Sequence, residues 1–156
     1  MNKVSVIMST YKEPIDWIRQ SIDSILNQTF SEFEFIIVVD NPKYKELISV
    51  LNDYAEADNR ICIMVNENNI GLVKSLNKAL SQCNGEYIVR MDADDISLPE
   101  RIAHQIDYIN NKKYDLVGCF YEVFYEDKTL RIAQGAKTHE VCEKILQYES
   151  CVAHPA

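Results

Sequence analysis

Hydrophobic positions follow two alternating spacings along the first 110 residues. Short, mostly β-branched apolar runs at residues 4–8, 35–39, 61–65 and 87–91 predict four buried strands. After each run, apolar side chains recur every three or four residues, which predicts helices over residues 15–26, 44–55, 72–80 and 102–109. Such alternation implies right-handed crossovers and a mainly parallel sheet with helices on both faces. The predicted fold class is therefore α/β.

The pattern becomes less regular after residue 112. Residues 116–120, 121–125 and 130–133 are predicted strands with a turn around 126–128, and a last helix is predicted over 139–149. Ser97, followed by Pro99 and Glu100, predicts the N-terminal cap of the preceding helix. We expect an α/β half over residues 1–112 and an incomplete second part over 113–156, as though a longer protein had been cut.

Composition and charge narrow the classes of partner. The chain is 47% hydrophobic and 26% charged, as in an ordinary globular domain, and its formal net charge is −8. An acidic chain repels phosphate backbones, so nucleic acid and anionic membrane surfaces are not expected partners. Five widely spaced cysteines without a Cys-x-x-Cys pair predict reduced, mostly buried thiols. No apolar run is long enough for a signal peptide or a transmembrane segment, so a cytoplasmic protein is expected.

Polar segments follow each of the four predicted strands. Ligands of open parallel sheets bind beyond the carboxyl ends of the strands, so a binding site is expected at residues 9–14, 40–43, 66–71 and 92–95. Asp92-Ala93-Asp94-Asp95 places three carboxylates together, which suits Mg²⁺ or Mn²⁺ shared with a substrate diphosphate. The alternative is an acidic turn that favours the N-terminus of the next helix.

Three further positions have a binding role and a plain structural alternative. Asp40 can accept a hydrogen bond from a nucleobase or ribose, or it can cap a turn. Tyr11 offers a face for base stacking, or it packs at a rim. Asn69-Ile70-Gly71 precedes a helix whose N–H groups favour phosphate, and Lys74 lies within reach of such an anion unless it is a solvated surface lysine.

Taken in order, these motifs resemble a known family. They are similar to the N-terminal half of family-2 glycosyltransferases of the bacterial surface-polysaccharide type. The residues that carry the resemblance are the first strand with Ser9-Thr10-Tyr11, Asp40 after the second strand, Asn69-Ile70-Gly71-Leu72, and the segment from Gly85 to Asp95. The resemblance is close over about residues 2–110. It implies the GT-A fold, a nucleotide-sugar donor, usually a UDP-sugar, and a saccharide or lipid-linked saccharide acceptor.

The resemblance also implies roles for individual residues. Tyr11 and Asp40 would flank the nucleobase, with the Ser9 and Thr10 backbone and Glu13 nearby. Asp92 would lie near the ribose or the metal, and Asp94 would be a direct ligand of Mn²⁺ or Mg²⁺; the role of Asp95 stays open. Where the family often has Ala-Arg-Asn, this chain has Ser75-Leu76-Asn77, so Lys74 is the expected substitute for the arginine.

An inverting transfer needs a base for the acceptor hydroxyl. In the family this base lies beyond the Asp-x-Asp motif, so we expect it after Ala156 and expect the 156-residue chain to be inactive in transfer. Three alternatives stay open: a sugar nucleotidyltransferase, a phospho-receiver module, and a non-catalytic nucleotide-binding or interaction domain. The first of these would need a glycine-rich loop after the first strand, which this chain lacks.

Overall fold

The computed structural model describes residues 4–112, 114–125 and 128–145. Its elements run β1 (Val4–Thr10), α1 (Ile15–Leu26), β2 (Phe33–Val39), α2 (Lys45–Ala57), β3 (Ile61–Val65), α3 (Leu72–Leu80), β4 (Tyr87–Asp92), α4 (Arg101–Lys112), β5 (Tyr121–Tyr125), β6 (Lys128–Ala133) and α5 (His139–Ile145). The chain divides into two compact units, Met1–Ile102 and Ala103–Ala156. Each unit is described by itself.

The first unit contains a four-stranded parallel sheet in the order β3-β2-β1-β4. Alternate strand residues point to opposite faces. Ile7 and Ile36 lie on one face, where they pack with Ala79 of α3. Val6 and Phe35, on the opposite face, are fully buried as well. Helices therefore cover both faces, and the predicted α/β class is confirmed.

Polar contacts join the N-terminal ends of three strands. The Ser5 hydroxyl donates to Glu34 Oε1 at 2.6 Å and accepts from the Gly85 N–H at 2.9 Å. The N–H of Asn84 donates to the same Glu34 oxygen. A Cβ on Gly85 would lie 2.5 Å from the Ser5 backbone nitrogen, so this close approach requires glycine. The contacts set the register of β4 against β1, at the end of the sheet opposite to the predicted ligand site.

The cap predicted for α4 at Ser97 is wrong. The helix begins at Arg101, and the N–H of Ile102 donates to Gln28 Oε1 at 3.0 Å. The Gln28 amide also donates to the Leu98 carbonyl at 2.7 Å and to the buried Ser97 hydroxyl at 3.2 Å. A glutamine just after α1 thus caps a helix more than 70 residues away, and no local pattern predicts such a cap.

The second unit contains the antiparallel pair β5 and β6 and the helix α5. No strand forms over residues 116–120, which is a second correction; their mostly exposed side chains lack the burial that a strand interpretation assumed. Residues 126–127 of the predicted turn and 146–149 of the predicted last helix lie outside the described residues. Within the described part of the chain, no helix is long and apolar enough to cross a membrane.

The prediction of mostly buried cysteines is also wrong. Cys83, Cys119 and Cys142 are half-buried and Cys62 is exposed, and none of these four described cysteines forms a disulfide. Cys62 lies on β3, an edge strand of the sheet, and Cys151 lies outside the described residues.

Candidate functional site

A pocket of about 290 Å³ lies at the carboxyl ends of β1 and β2, beside the start of α3. Eight residues line it: Ser9, Thr10, Tyr11, Glu13, Asp40, Asn69, Gly71 and Leu72. The first five were predicted from the sequence as binding residues. Lys74, Asp92 and Asp94 are not among the lining residues; Lys74 is exposed on α3.

Glu13 holds the loop between β1 and α1. Its Oε2 accepts from the Thr10 hydroxyl and the Tyr11 N–H, both at 2.7 Å, and from the Lys12 N–H at 3.1 Å. Burial by itself raises the pKa of Glu13, but hydrogen bonds from Tyr11, Thr10 and neighbouring backbone N–H groups outweigh it and lower the pKa overall. The carboxylate is therefore ionised and occupied by this loop.

Asp40 binds the loop that leads into α3. Its side chain is 2% exposed, and its oxygens accept three hydrogen bonds of 2.8 Å: Oδ1 from Asn66 Nδ2 and the Ile70 N–H, and Oδ2 from the Gly71 N–H. Burial raises the pKa of Asp40, yet these bonds and one from Ser75 lower it overall. Gly71 has φ +85°, a conformation that favours glycine and aims its N–H at the carboxylate.

Asn66 is a buried polar residue that the sequence analysis did not single out. Besides its bond to Asp40, its Nδ2 donates to the Ser75 hydroxyl at 3.0 Å, and its Oδ1 accepts from Lys78 Nζ at 2.8 Å. It is 2% exposed. Its place in the polar segment directly after β3 was the available signal, but its partners on α3 become visible only in the fold.

Tyr11 and Leu72 supply apolar surface at the pocket. The Tyr11 ring is 43% exposed and Leu72 is 48% exposed. Asn41 Nδ2 donates to the Tyr11 carbonyl at 3.2 Å and so ties the loop after β1 to the loop after β2. An exposed ring on a tethered backbone is suited to stacking against a planar ligand.

The acidic segment follows β4, which lies next to β1. Asp92 is paired in register with Ser9, and its carbonyl accepts from the Ser21 hydroxyl of α1 at 2.9 Å. Arg90, another residue that the sequence analysis missed, donates through Nη2 to Asp92 Oδ1 at 2.6 Å. The shared register places Asp92 beside the end of the strand that leads into the pocket.

The carboxylates of this segment repel one another. Burial raises the pKa of Asp92, Arg90 opposes that rise, and Asp94 adds to it. Burial also raises the pKa of Asp95, with further contributions from Asp94 and Asp92. Asp94 itself is exposed. A cation would relieve this repulsion.

The donor set of this segment fits Mg²⁺ or Mn²⁺ with a partial protein shell. Among the described residues, no three His, Cys, Asp or Glu side chains converge on a point that would hold a metal ion. Mg²⁺ needs fewer, because it is usually bound by one or two carboxylates and completes its shell with water and substrate phosphates. Asp92 and Asp94 meet that smaller requirement, although Arg90 already engages one oxygen of Asp92.

Comparison with known proteins gives consistent results. Residues 5–152 match the family described as "Glycosyl transferase family 2". An uncharacterized glycosyltransferase of Methanocaldococcus jannaschii is 40% identical over 98% of this chain and 54% of its own length. The O-antigen biosynthesis glycosyltransferase WbnJ of Escherichia coli is 36% identical over 99% of this chain and 60% of its own length. The chain thus spans little more than half of these relatives.

A solved structure supports the same grouping. The structure of S. aureus TarS 1–349 in complex with UDP-GlcNAc superposes with a TM-score of 0.65 and 28% identity, over 72% of this chain and 32% of that one. The structural neighbours have the GT-A fold, which confirms the fold implied by the sequence motifs.

Proposed function

The chain belongs to glycosyltransferase family 2, and from that premise we propose that it binds a nucleotide-sugar donor, a UDP-sugar, for transfer to a saccharide or lipid-linked saccharide acceptor in cell-surface polysaccharide synthesis. The O-antigen relative supports the polysaccharide assignment, and the UDP-GlcNAc complex of TarS supports the donor class. In keeping with the predicted location, the transfer would take place on the cytoplasmic side of the membrane.

One observation carries the proposal: the pocket at the carboxyl ends of β1 and β2 is lined by five of the seven residues predicted to bind the nucleotide-sugar, all except Lys74 and Asp92. In this proposal the exposed Tyr11 ring stacks on the base, and Asp40 accepts a base N–H. The N–H groups and side chains of Ser9, Thr10 and Glu13 shape the wall around the nucleoside. The volume of about 290 Å³ lies at the lower end of the range for small-molecule sites.

Beyond the base, Asp92 and Asp94 present carboxylate oxygens next to the strand that leads into the pocket. They are the residues that would hold Mn²⁺ or Mg²⁺, and Lys74 would approach the diphosphate from α3. When bound, the metal stabilises the negative charge of the leaving diphosphate. Arg90 keeps one Asp92 oxygen engaged and thereby restrains the orientation of that carboxylate.

The transfer chemistry we propose is an inverting displacement. The acceptor hydroxyl oxygen attacks the anomeric carbon, the bond from that carbon to the diphosphate breaks, and a base takes the hydroxyl proton. Glu122, Glu126 and Asp127 follow the Asp-x-Asp motif within the chain, and Glu126 and Asp127 lie outside the described residues. Glu122 is exposed and contacts Thr129 on the neighbouring strand, so nothing in its surroundings selects it as the base.

Calorimetric titration of UDP into the 156-residue chain tests the proposal. We expect binding with Mn²⁺ that weakens with EDTA and in Asp94→Asn. Asp115→Asn is the matched control, because Asp115 is also exposed and lies in the other compact unit.

Each outcome bears on a separate part of the proposal. A folded protein that binds UDP, GDP and CDP equally poorly would refute the donor site. Binding that ignores both EDTA and Asp94→Asn would leave the pocket and remove the metal assignment.

A further inference from the structure

One face of α1 holds the chain before and after the acidic segment that follows β4. The Ser21 hydroxyl donates to the Asp92 carbonyl at 2.9 Å, and the Ser24 hydroxyl accepts from the Ser97 N–H at 3.0 Å. Gln28 continues the row, because its amide donates to the Ser97 hydroxyl at 3.2 Å. Residues 21, 24 and 28 have the spacing that places side chains on one face of a helix. The acidic segment is therefore attached to a rigid element at both of its ends.

Between these two attachments the segment forms a turn. The Asp95 N–H donates to the Asp92 carbonyl at 3.4 Å, and the Ser21 hydroxyl contacts the same oxygen. Asp94 is exposed in this turn, whereas Asp95 is half-buried. The carboxylate proposed to ligate the metal is thus carried by a turn whose first carbonyl is held by α1.

The anchoring side chains lie apart from the nucleotide pocket. Ser21 is fully buried and Gln28 is 6% exposed. The described residues that line the pocket include neither of them, nor Ser24. Other contacts hold the pocket loops, namely those of Glu13 and Asp40. A change in the α1 side chains should therefore alter the acidic segment and leave the base-binding part of the pocket in place.

We propose that these three α1 side chains are positioning residues that hold Asp92 and Asp94 in place for Mn²⁺ or Mg²⁺ before the cation binds. Mg²⁺ demands nearly ideal octahedral geometry, so a small displacement of its ligands lowers the affinity. Asp92 and Asp94 also repel one another, and the hydrogen bonds to α1 keep that repulsion from opening the turn. This inference rests on the proposed function and its metal assignment.

The test compares the affinity for Mn²⁺ with the affinity for UDP. Mn²⁺ is titrated into the chain with saturating UDP and followed by electron paramagnetic resonance, and UDP is titrated in EDTA by calorimetry. Ser24→Ala removes the acceptor of the Ser97 N–H and should lower the Mn²⁺ affinity about tenfold, the lower end of the effect of groups that orient metal ligands. The UDP affinity in EDTA should not change. Ser24→Thr keeps the hydroxyl and should restore the Mn²⁺ affinity. Ser49→Ala, at an exposed position of α2, should leave both affinities unchanged.

A merely stabilising role of the α1 side chains predicts a different result. If Ser24→Ala leaves the Mn²⁺ affinity unchanged, or lowers both affinities by the same factor, the inference is overturned and the nucleotide site remains. If the folded, unmodified chain binds UDP but no Mn²⁺, the metal assignment is refuted and this inference with it. If that chain binds no UDP, the proposed function is refuted as well. Ser21→Ala, which removes the hydroxyl from the Asp92 carbonyl, takes the place of Ser24→Ala if that variant does not fold.

Discussion

Replacing Asp40 by asparagine tests how the loop between β3 and α3 is held. The carboxylate accepts from Asn66 Nδ2, the Ile70 N–H and the Gly71 N–H, each at 2.8 Å. An asparagine oxygen has two lone pairs, so it can serve two of these donors. The third donor would then face the new NH₂ group. The substitution therefore leaves one donor at the pocket without an acceptor.

The expected loss of stability follows from the number of donors left without an acceptor. Leaving one buried donor unsatisfied costs about 1–3 kcal/mol. The two remaining bonds lose their ionic acceptor, which adds about 1 kcal/mol. We expect Asp40→Asn to lower the free energy of unfolding by about 2–4 kcal/mol, a large share of the roughly 5–15 kcal/mol of an ordinary domain. Asp53→Asn, at an exposed position of α2, makes the same chemical change and should cost less than about 0.5 kcal/mol.

Urea unfolding at several pH values is the assay. Because the folded pKa of Asp40 is lowered, its contribution is complete above the unfolded pKa of about 4 and disappears as the pH falls through the folded value. The difference between the unmodified chain and Asp40→Asn should be constant from pH 7 to 5 and shrink below about pH 4. A loss at pH 7 no larger than that of Asp53→Asn, or a difference that grows in acid, would refute the reasoning.

Three further outcomes are expected. Gly85→Ala should lower the free energy of unfolding by about 2–3 kcal/mol in the same assay, because its Cβ would lie 2.5 Å from the Ser5 nitrogen; an unchanged midpoint would contradict the close approach. Gln28→Ala should cost about 1–2 kcal/mol by removing the cap on the Ile102 N–H, and a neutral result would mean that water replaces it. Tyr11→Ala should weaken UDP binding about tenfold in calorimetry while Tyr11→Phe keeps it, whereas equal losses would point to the hydroxyl instead of the ring.

The parallel sheet was predictable because its signal is local. Nearly continuous apolar runs mark strands that are buried on both faces, and the four runs predicted β1 to β4 to within two residues at either end. The strand predicted over residues 116–120 fails because an apolar run also occurs in exposed chain, and only packing separates the two cases. The cap on α4 could not be predicted for a different reason: Gln28, which accepts from the Ile102 N–H, is distant from that helix in the sequence.

The acidic residues at the strand ends look alike in sequence and differ in what donates to them. Glu13 and Asp40 each collect N–H groups of the loop that follows their strand, so their charge is stabilised and their pKa falls. Asp92 and Asp95 gain no such set of loop N–H donors; burial and mutual repulsion raise their pKa, and Arg90 only partly opposes the rise at Asp92. A cation would therefore gain most after β4, whereas in the proposed site a nucleobase would place an N–H beside Asp40. In the proposed function, backbone donors thus separate a carboxylate suited to a base from carboxylates suited to a metal and diphosphate. The order of the motifs predicted that division by resemblance, and the hydrogen bonds give it a physical reason.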